Sequence, residues 1–142
     1  MTLHPSLAWN EIRIGSAIAP LVFDVTYSTL ARDVAGTRDL YRIHHDPPFA
    51  TANGAPNIFL NAMWYQGLIG RYITDWAGYE AFLRKLNVKI RSHGCPGDTL
   101  TVGATIQSRA EVDGKLLVDL DIRIDNGRRA DAIVAVATVE IV

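Results

Sequence analysis

A chain of 142 residues, 49% hydrophobic and 20% charged, is long enough for one domain with a substantial core and too apolar for disorder. Its 14 Lys and Arg against 15 Asp and Glu leave a formal net charge of −1, so no global basic field is available to attract nucleic acid. The lone Cys95 excludes an intrachain disulfide and a thiolate zinc cluster.

From Met1 to Gly15 the chain carries Trp9, Asn10, Glu11 and Arg13 where a signal peptide needs an unbroken apolar run, and a cytoplasmic location fits best. Residues 11–25 read as a short extended entry, with Ile12, Ile14 and Ile18 among polar or small residues. The run Thr26-Tyr27-Ser28-Thr29 predicts a helix cap, with a helix over 28–36 ended by Gly36. A loop from Asp39 to Pro48 follows, because paired prolines stop a helix from running through it. Residues 48–53 predict one short helix closed by Gly54.

The segment 58–76 predicts the long helix. Asn61, Gln66, Gly67, Gly70, Arg71 and Asp75 interrupt its apolar run, so it reads as a buried helix and not a membrane span. Apolar side chains cover most of its circumference, which predicts a helix surrounded by protein, with Gly67 and Gly70 admitting another backbone. After Gly78 the period becomes two. Strands are expected around 86–91, 99–107, 116–124 and 133–142, separated by turn signals of which Asp113-Gly114 is the strongest. The outline is α+β: a single domain over 1–142 whose antiparallel sheet wraps around one long central helix.

The most informative stretch is Asp39-Leu-Tyr-Arg-Ile-His44, followed by His45-Asp46-Pro47. One carboxylate and one imidazole can divide proton duties on a single water molecule. Five residues on a straight helix turn through roughly 500°, about 140° apart, so a loop or turn has to bring the pair together. The plain alternative is a loop-capping Asp39 and a satisfied, partly buried His44. Adjacent histidines usually point apart and no further ligand cluster exists, so His44, His45 and Asp46 are not read as a metal site. Asp46 is expected to hold the loop by accepting backbone hydrogen bonds before Pro47. The aromatic stripe Phe59, Trp64, Tyr65 and Tyr72 reads as core or as an acyl pocket. Cys95 sits in a turn without an activating base and has no assigned function.

In these motifs the chain resembles the MaoC-like, R-specific enoyl-CoA hydratases of the hotdog fold. Their pattern is Asp-x-Asn-Pro-x-His, a nearby Asp-Pro, a Gly-rich segment leading to His-Gly at the start of the long helix, and a Pro-Gly-Asp-Thr-Leu turn in the sheet. Asp39, His44, Asp46-Pro47, Gly54, Pro56 and Pro96-Gly97-Asp98-Thr99-Leu100 match it over roughly residues 9–142. Tyr41 and Arg42 replace the family's Asn and Pro, and Asn61-Ala62 replaces its His-Gly. The stretches Gly54 to Asn61 and Gly70 to Gly78 resemble more narrowly the small subunits of two-subunit actinobacterial hydratases acting on steroid side-chain CoA thioesters.

The resemblance implies that Asp39 and His44 hold the water that adds across a 2-enoyl thioester, without saying which is acid and which base. It implies the Ala62 N–H as oxyanion donor; Asn61 is either a second donor or a plain N-cap. Arg84, Lys85, Lys89 and Arg91 are candidates for coenzyme A phosphates, or a solvated strand face. No cofactor is implied, because coenzyme A is part of the substrate. The implied assembly is a homodimer, or a heterodimer or heterotetramer with a second MaoC-like chain. The competing readings are a hotdog thioesterase and a non-catalytic subunit that completes a partner's site, the latter favoured by Tyr41 and Ala62.

Overall fold

Period-two alternation of apolar side chains builds the larger half of the molecule. The computed structural model describes residues 6–142; residues 1–5, the start of the segment read against a signal peptide, lie outside them. Strands β1 (Ala17–Asp24), β2 (Phe82–Ile90), β3 (Thr99–Val112), β4 (Lys115–Asp125) and β5 (Ile133–Ile141) form one sheet in the order β1-β3-β4-β5-β2. Every pairing is antiparallel. Asp113 and Gly114 adopt φ of 52° and 75°, and Val112 pairs with Lys115, so the Asp-Gly turn closes the β3–β4 hairpin as expected.

The alternate positions Leu100, Val102, Val118, Leu120, Ile122, Ile133 and Val139 are buried and join one core with α3 (Ala62–Ala77), through Tyr65, Leu68, Ile69, Tyr72 and Ile73. Burial of this kind contributes about 1.5–3 kcal/mol for each large apolar side chain. Two phenols are satisfied inside that core. The Gly94 N–H donates to Tyr65 Oη at 2.9 Å, and Tyr72 Oη donates to the Ile18 carbonyl at 3.3 Å.

The short helices differ from expectation at their ends. Helix α1 (Tyr27–Thr37) starts from a Thr26–Thr29 capping box and runs past Gly36, stopping where Arg38 takes a left-handed φ of 58°. Helix α2 (Pro47–Ala52) begins one residue early, because Pro47 fits a first helical position, and Gly54 closes it with φ 86°.

The long helix is shorter than the predicted 58–76 and lacks its first turn. Asn61 caps it by accepting from Trp64 N–H at 3.0 Å, while the Leu60 N–H donates to the Gly94 carbonyl and holds residues 58–60 extended. Nor is α3 enclosed. Met63, Gln66, Gly67, Arg71 and Asp75 are exposed, and a Cβ added at Gly67 or Gly70 would meet no atom within 4 Å. One five-stranded sheet covers only one side of the helix, so the backbone approach expected at those glycines is not made within this chain.

Candidate active site

A 3-10 turn at Arg42–His44 resolves the geometric problem of the Asp39–His44 spacing. Tyr41 N–H donates to Asp39 Oδ1 at 3.3 Å, which turns the carboxylate back over the loop. His44 Nε2 then lies 3.4 Å from Asp39 Oδ2. His44 is 7% exposed, while the Asp39 side chain keeps partial access to solvent.

The other imidazole nitrogen fixes the tautomer. His44 Nδ1 lies 2.6 Å from the Phe59 carbonyl oxygen, which can only accept, so Nδ1 carries a hydrogen. A neutral His44 therefore presents a lone pair at Nε2. Two acceptors 3.4 Å apart do not bond directly; they need a shared proton or a bridging water.

The segment that orients His44 also begins the long helix, since Phe59 is two residues before the Asn61 cap. Around this cap lies a group the sequence reading missed. Asp33, on α1 and only 1% exposed, accepts from the Asn61 N–H through Oδ2 at 3.0 Å. The Asn61 side-chain amide donates to Thr37 Oγ1 at 2.7 Å, and Thr37 Oγ1 donates to the Asp33 carbonyl at 2.6 Å. Burial raises the Asp33 carboxyl above the ordinary aspartate value; the Asn61 amide and His44 pull it down, and Asp39 pushes it up. The available signal was a carboxylate on the apolar face of a predicted helix, beside Thr29 and Leu30.

With Asn61 N–H on Asp33 and Trp64 N–H on Asn61 Oδ1, the Ala62 and Met63 N–H groups remain as the free first-turn donors of α3. They lie where the helix dipole favours developing negative charge. The Asn61 side chain caps α3 through Oδ1 and braces Thr37 through one of its two Nδ2 hydrogens.

Other expected residues fall as follows. Asp46 caps α2 by accepting from Phe49 N–H at 3.2 Å and pairs with Arg42 at 2.6 Å; these bonds hold its carboxyl below the usual carboxylate range. His45 turns Nε2 to the Leu40 carbonyl at 3.0 Å, and among the described residues no three His, Cys, Asp or Glu side chains gather as metal ligands. Lys85 and Lys89 register with Thr138 and Val134 on the sheet face opposite the core, Arg84 pairs with Glu140, and Arg91 pairs with Asp131.

Tyr41 is 56% exposed and lays its ring edge-on to His44 and Phe49, so the residue standing for the family's Asn leaves the pair intact. Phe59 meets His44 edge-on at 5.1 Å and stacks on His93 at 3.8 Å, and burial holds His93 below the usual imidazole range. Cys95 is buried and its thiol is pushed up by burial, which makes it inert. Of the aromatic stripe, Tyr65 and Tyr72 belong to the core. Trp64 lines an apolar recess of about 280 Å³ with Phe23, Thr37, Met63, Leu68 and Arg71, adjoining the α3 amino end through Thr37. A larger recess of about 380 Å³ lies at the other end of α3, beside Tyr72 and Trp76.

A five-stranded antiparallel sheet packed on one long helix is the hotdog fold, and it carries a His–carboxylate pair beside that helix's amino end, where the sequence resemblance implies one. Solved structures agree on the fold. The superposition on the (R)-hydratase from A. caviae has a TM-score of 0.81 at 20% identity, over 92% of this chain and 98% of that one. On R-hydratase PhaJ1 from Pseudomonas aeruginosa it is 0.83 at 16% identity, over 94% and 84%. The particular likeness is narrower. This chain matches the ChsH1–ChsH2 complex from Mycobacterium tuberculosis with a TM-score of 0.78 at 26% identity, over 92% of this chain and 98% of that chain. It is 36% identical over 70 residues to the 3-oxo-4,17-pregnadiene-20-carboxyl-CoA hydratase beta subunit of the same organism, 49% of this chain and 54% of that protein. The chain thus matches about half the length of this curated relative. No family model matches the chain.

Proposed function

We propose that this chain is the catalytic hotdog of an enoyl-CoA hydratase, adding water across the 2,3 double bond of a trans-2-enoyl-CoA. The observation that carries this reading is the 3.4 Å approach of His44 Nε2 to Asp39 Oδ2 beside the α3 amino end. The pair holds one water. Its oxygen bonds to carbon 3, the π electrons move onto the thioester oxygen, and a proton passes to the pair. The pair then returns a proton to carbon 2, so that H and OH both end on the substrate. The Ala62 and Met63 N–H groups receive the enolate oxygen as its charge develops. The reaction needs no cofactor beyond the coenzyme A of the substrate.

The recess at Trp64 gives the acyl group an apolar wall, and the mycobacterial hydratase subunit supports a steroid side-chain acyl group as the class. The likeness to the ChsH1–ChsH2 complex supports assembly with a second MaoC-like chain. No helix among the described residues is long and apolar enough to cross a membrane, and we place the enzyme in the cytoplasm.

The test is incubation of the purified protein, alone and with any co-purifying hotdog chain, with 2-enoyl-CoAs of increasing bulk. Loss of enone absorbance with intact thioester is the expected result. Release of free thiol would make it a thioesterase, and no turnover in either form would make it a non-catalytic subunit.

A further inference from the structure

We propose that Asp33 is a positioning residue of this site: together with Thr37 it clamps the first turn of α3 to α1 and so aims the free Ala62 and Met63 amides. The inference rests on the hydratase reading for its kinetic consequence but not for its structural one.

Asp33 sits on the core-facing side of α1, buried with Thr29 and Leu30. An alkyl side chain would fill that position at lower cost, since a buried carboxylate loses its hydration. What Asp33 gains is a directed bond, Oδ2 to the Asn61 N–H at 3.0 Å across 28 residues of sequence, with a longer 3.5 Å approach of Thr37 Oγ1 to Oδ1 beside it. The Asn61 N–H is the peptide group immediately before Ala62, so its acceptor sets the plane in which the helix begins. A carboxylate can only accept, and either oxygen serves, so the bond does not depend on which way the group is turned.

Thr37, one turn further on, completes the clamp. Its single hydroxyl hydrogen is committed to the Asp33 carbonyl at 2.6 Å, leaving lone pairs that receive the Asn61 side-chain amide at 2.7 Å and the Asp39 N–H at 3.4 Å. One hydroxyl thereby joins the Asp33 turn, the helix cap and the backbone of Asp39. The pair and the oxyanion donors come from different elements, and this network joins them alongside the His44–Phe59 bond. A frame of this kind acts in the transition state, because the enolate oxygen tolerates less misplacement than the neutral carbonyl does.

The experiment compares Asp33→Ala, Asp33→Asn and Thr37→Val in the full protein with its partner chain. Asn retains an oxygen for the Asn61 N–H. Kinetics on a 2-enoyl-CoA should show kcat lowered about 10- to 100-fold in Asp33→Ala and Thr37→Val with KM changed less than about threefold, and Asp33→Asn within about threefold of wild type. Residue-resolved amide exchange reads the same clamp without activity: Asn61 exchange should rise about tenfold or more in Asp33→Ala and stay slow in Asp33→Asn. Unchanged Asn61 exchange in Asp33→Ala overturns the clamp whatever the enzyme does. A KM rise with kcat unchanged overturns its catalytic meaning. If Asp33→Ala does not fold, Thr37→Val with wild-type kcat overturns the proposal. A wild-type protein without turnover would refute the hydratase reading alone, and the exchange result would still decide the clamp.

Discussion

The Phe59 carbonyl oxygen lies 2.6 Å from His44 Nδ1, and through it the chain that starts the long helix decides which nitrogen of the imidazole is free. The carbonyl belongs to the residue two before the helix cap. Any movement of the α3 amino end therefore moves the imidazole with it, and one hydrogen bond couples the 3-10 turn that carries His44 to the segment that starts α3.

This bond predicts the tautomer. In its neutral form His44 should carry its hydrogen on Nδ1, the less common form in free imidazole side chains. Nitrogen-detected NMR of labelled protein should show an unprotonated Nε2; a protonated Nε2 in the neutral ring would remove His44 as the proton acceptor.

Asn61 makes a cap and a brace at once. Asn61→Ala should cost about 0.5–2 kcal/mol through the lost cap to Trp64 N–H, lowering Tm by about 2–8 °C. Asn61→Ser should recover most of that stability, because its hydroxyl can cap, but not the bond to Thr37. Thermal unfolding of the two variants checks this; equal melting of Ala and Ser would show that the cap contributes nothing.

Much of this was legible in the sequence. Period-two alternation and the Asp113-Gly114 pair specify the sheet, because an inward apolar face and a turn needing positive φ leave little freedom in register. The Asp39–His44 spacing pointed to the pair, and the Pro47-Pro48 break to the need for a turn. The sequence did not reveal Asp33 or Thr37, since their meaning comes from α1 meeting the cap of α3, a contact made 24 to 28 residues away in the chain. It also misplaced the start of the long helix. Ile58, Phe59 and Leu60 fit a helical period, yet the backbone bond from Leu60 to Gly94 outweighs that local preference. The open side of α3 escaped for a similar reason: apolar residues all round a helix do not say which of them a single sheet will cover.

At Gly94 a close approach demands that the side chain be missing. A Cβ there would sit 2.6 Å from Tyr65 Oη, the atom that accepts the Gly94 N–H, and the Tyr65 ring is fully buried. Gly94→Ala should destabilise by about 1–3 kcal/mol. Tyr65→Phe should cost a similar ~1–3 kcal/mol by leaving a buried N–H without its acceptor. Denaturant unfolding checks both; a neutral Gly94→Ala would show that the ring can move aside.

Asp33 gives stability a defined pH dependence. Burial raises its carboxyl in the folded state, with His44 and Asp39 the titratable groups facing it. A raised acid favours folding in its protonated form. Its contribution is therefore full below the unfolded-state value and lost as pH rises through the folded-state value. Measured against wild type, Asp33→Asn should gain relative stability across that window. A difference that stays flat, or runs the other way, would show that the carboxyl is not raised.

The central claim is that Asp39 and His44 share one water, and Asp39→Asn tests it most directly. The substitution keeps shape and the bond from Tyr41 N–H but removes the charge. Assayed alone and with any co-purifying hotdog chain on a 2-enoyl-CoA that wild type hydrates, the variant should melt as wild type does and lose about 10²–10⁴-fold in the rate of enone disappearance. A folded Asp39→Asn protein that hydrates at the wild-type rate would contradict the account.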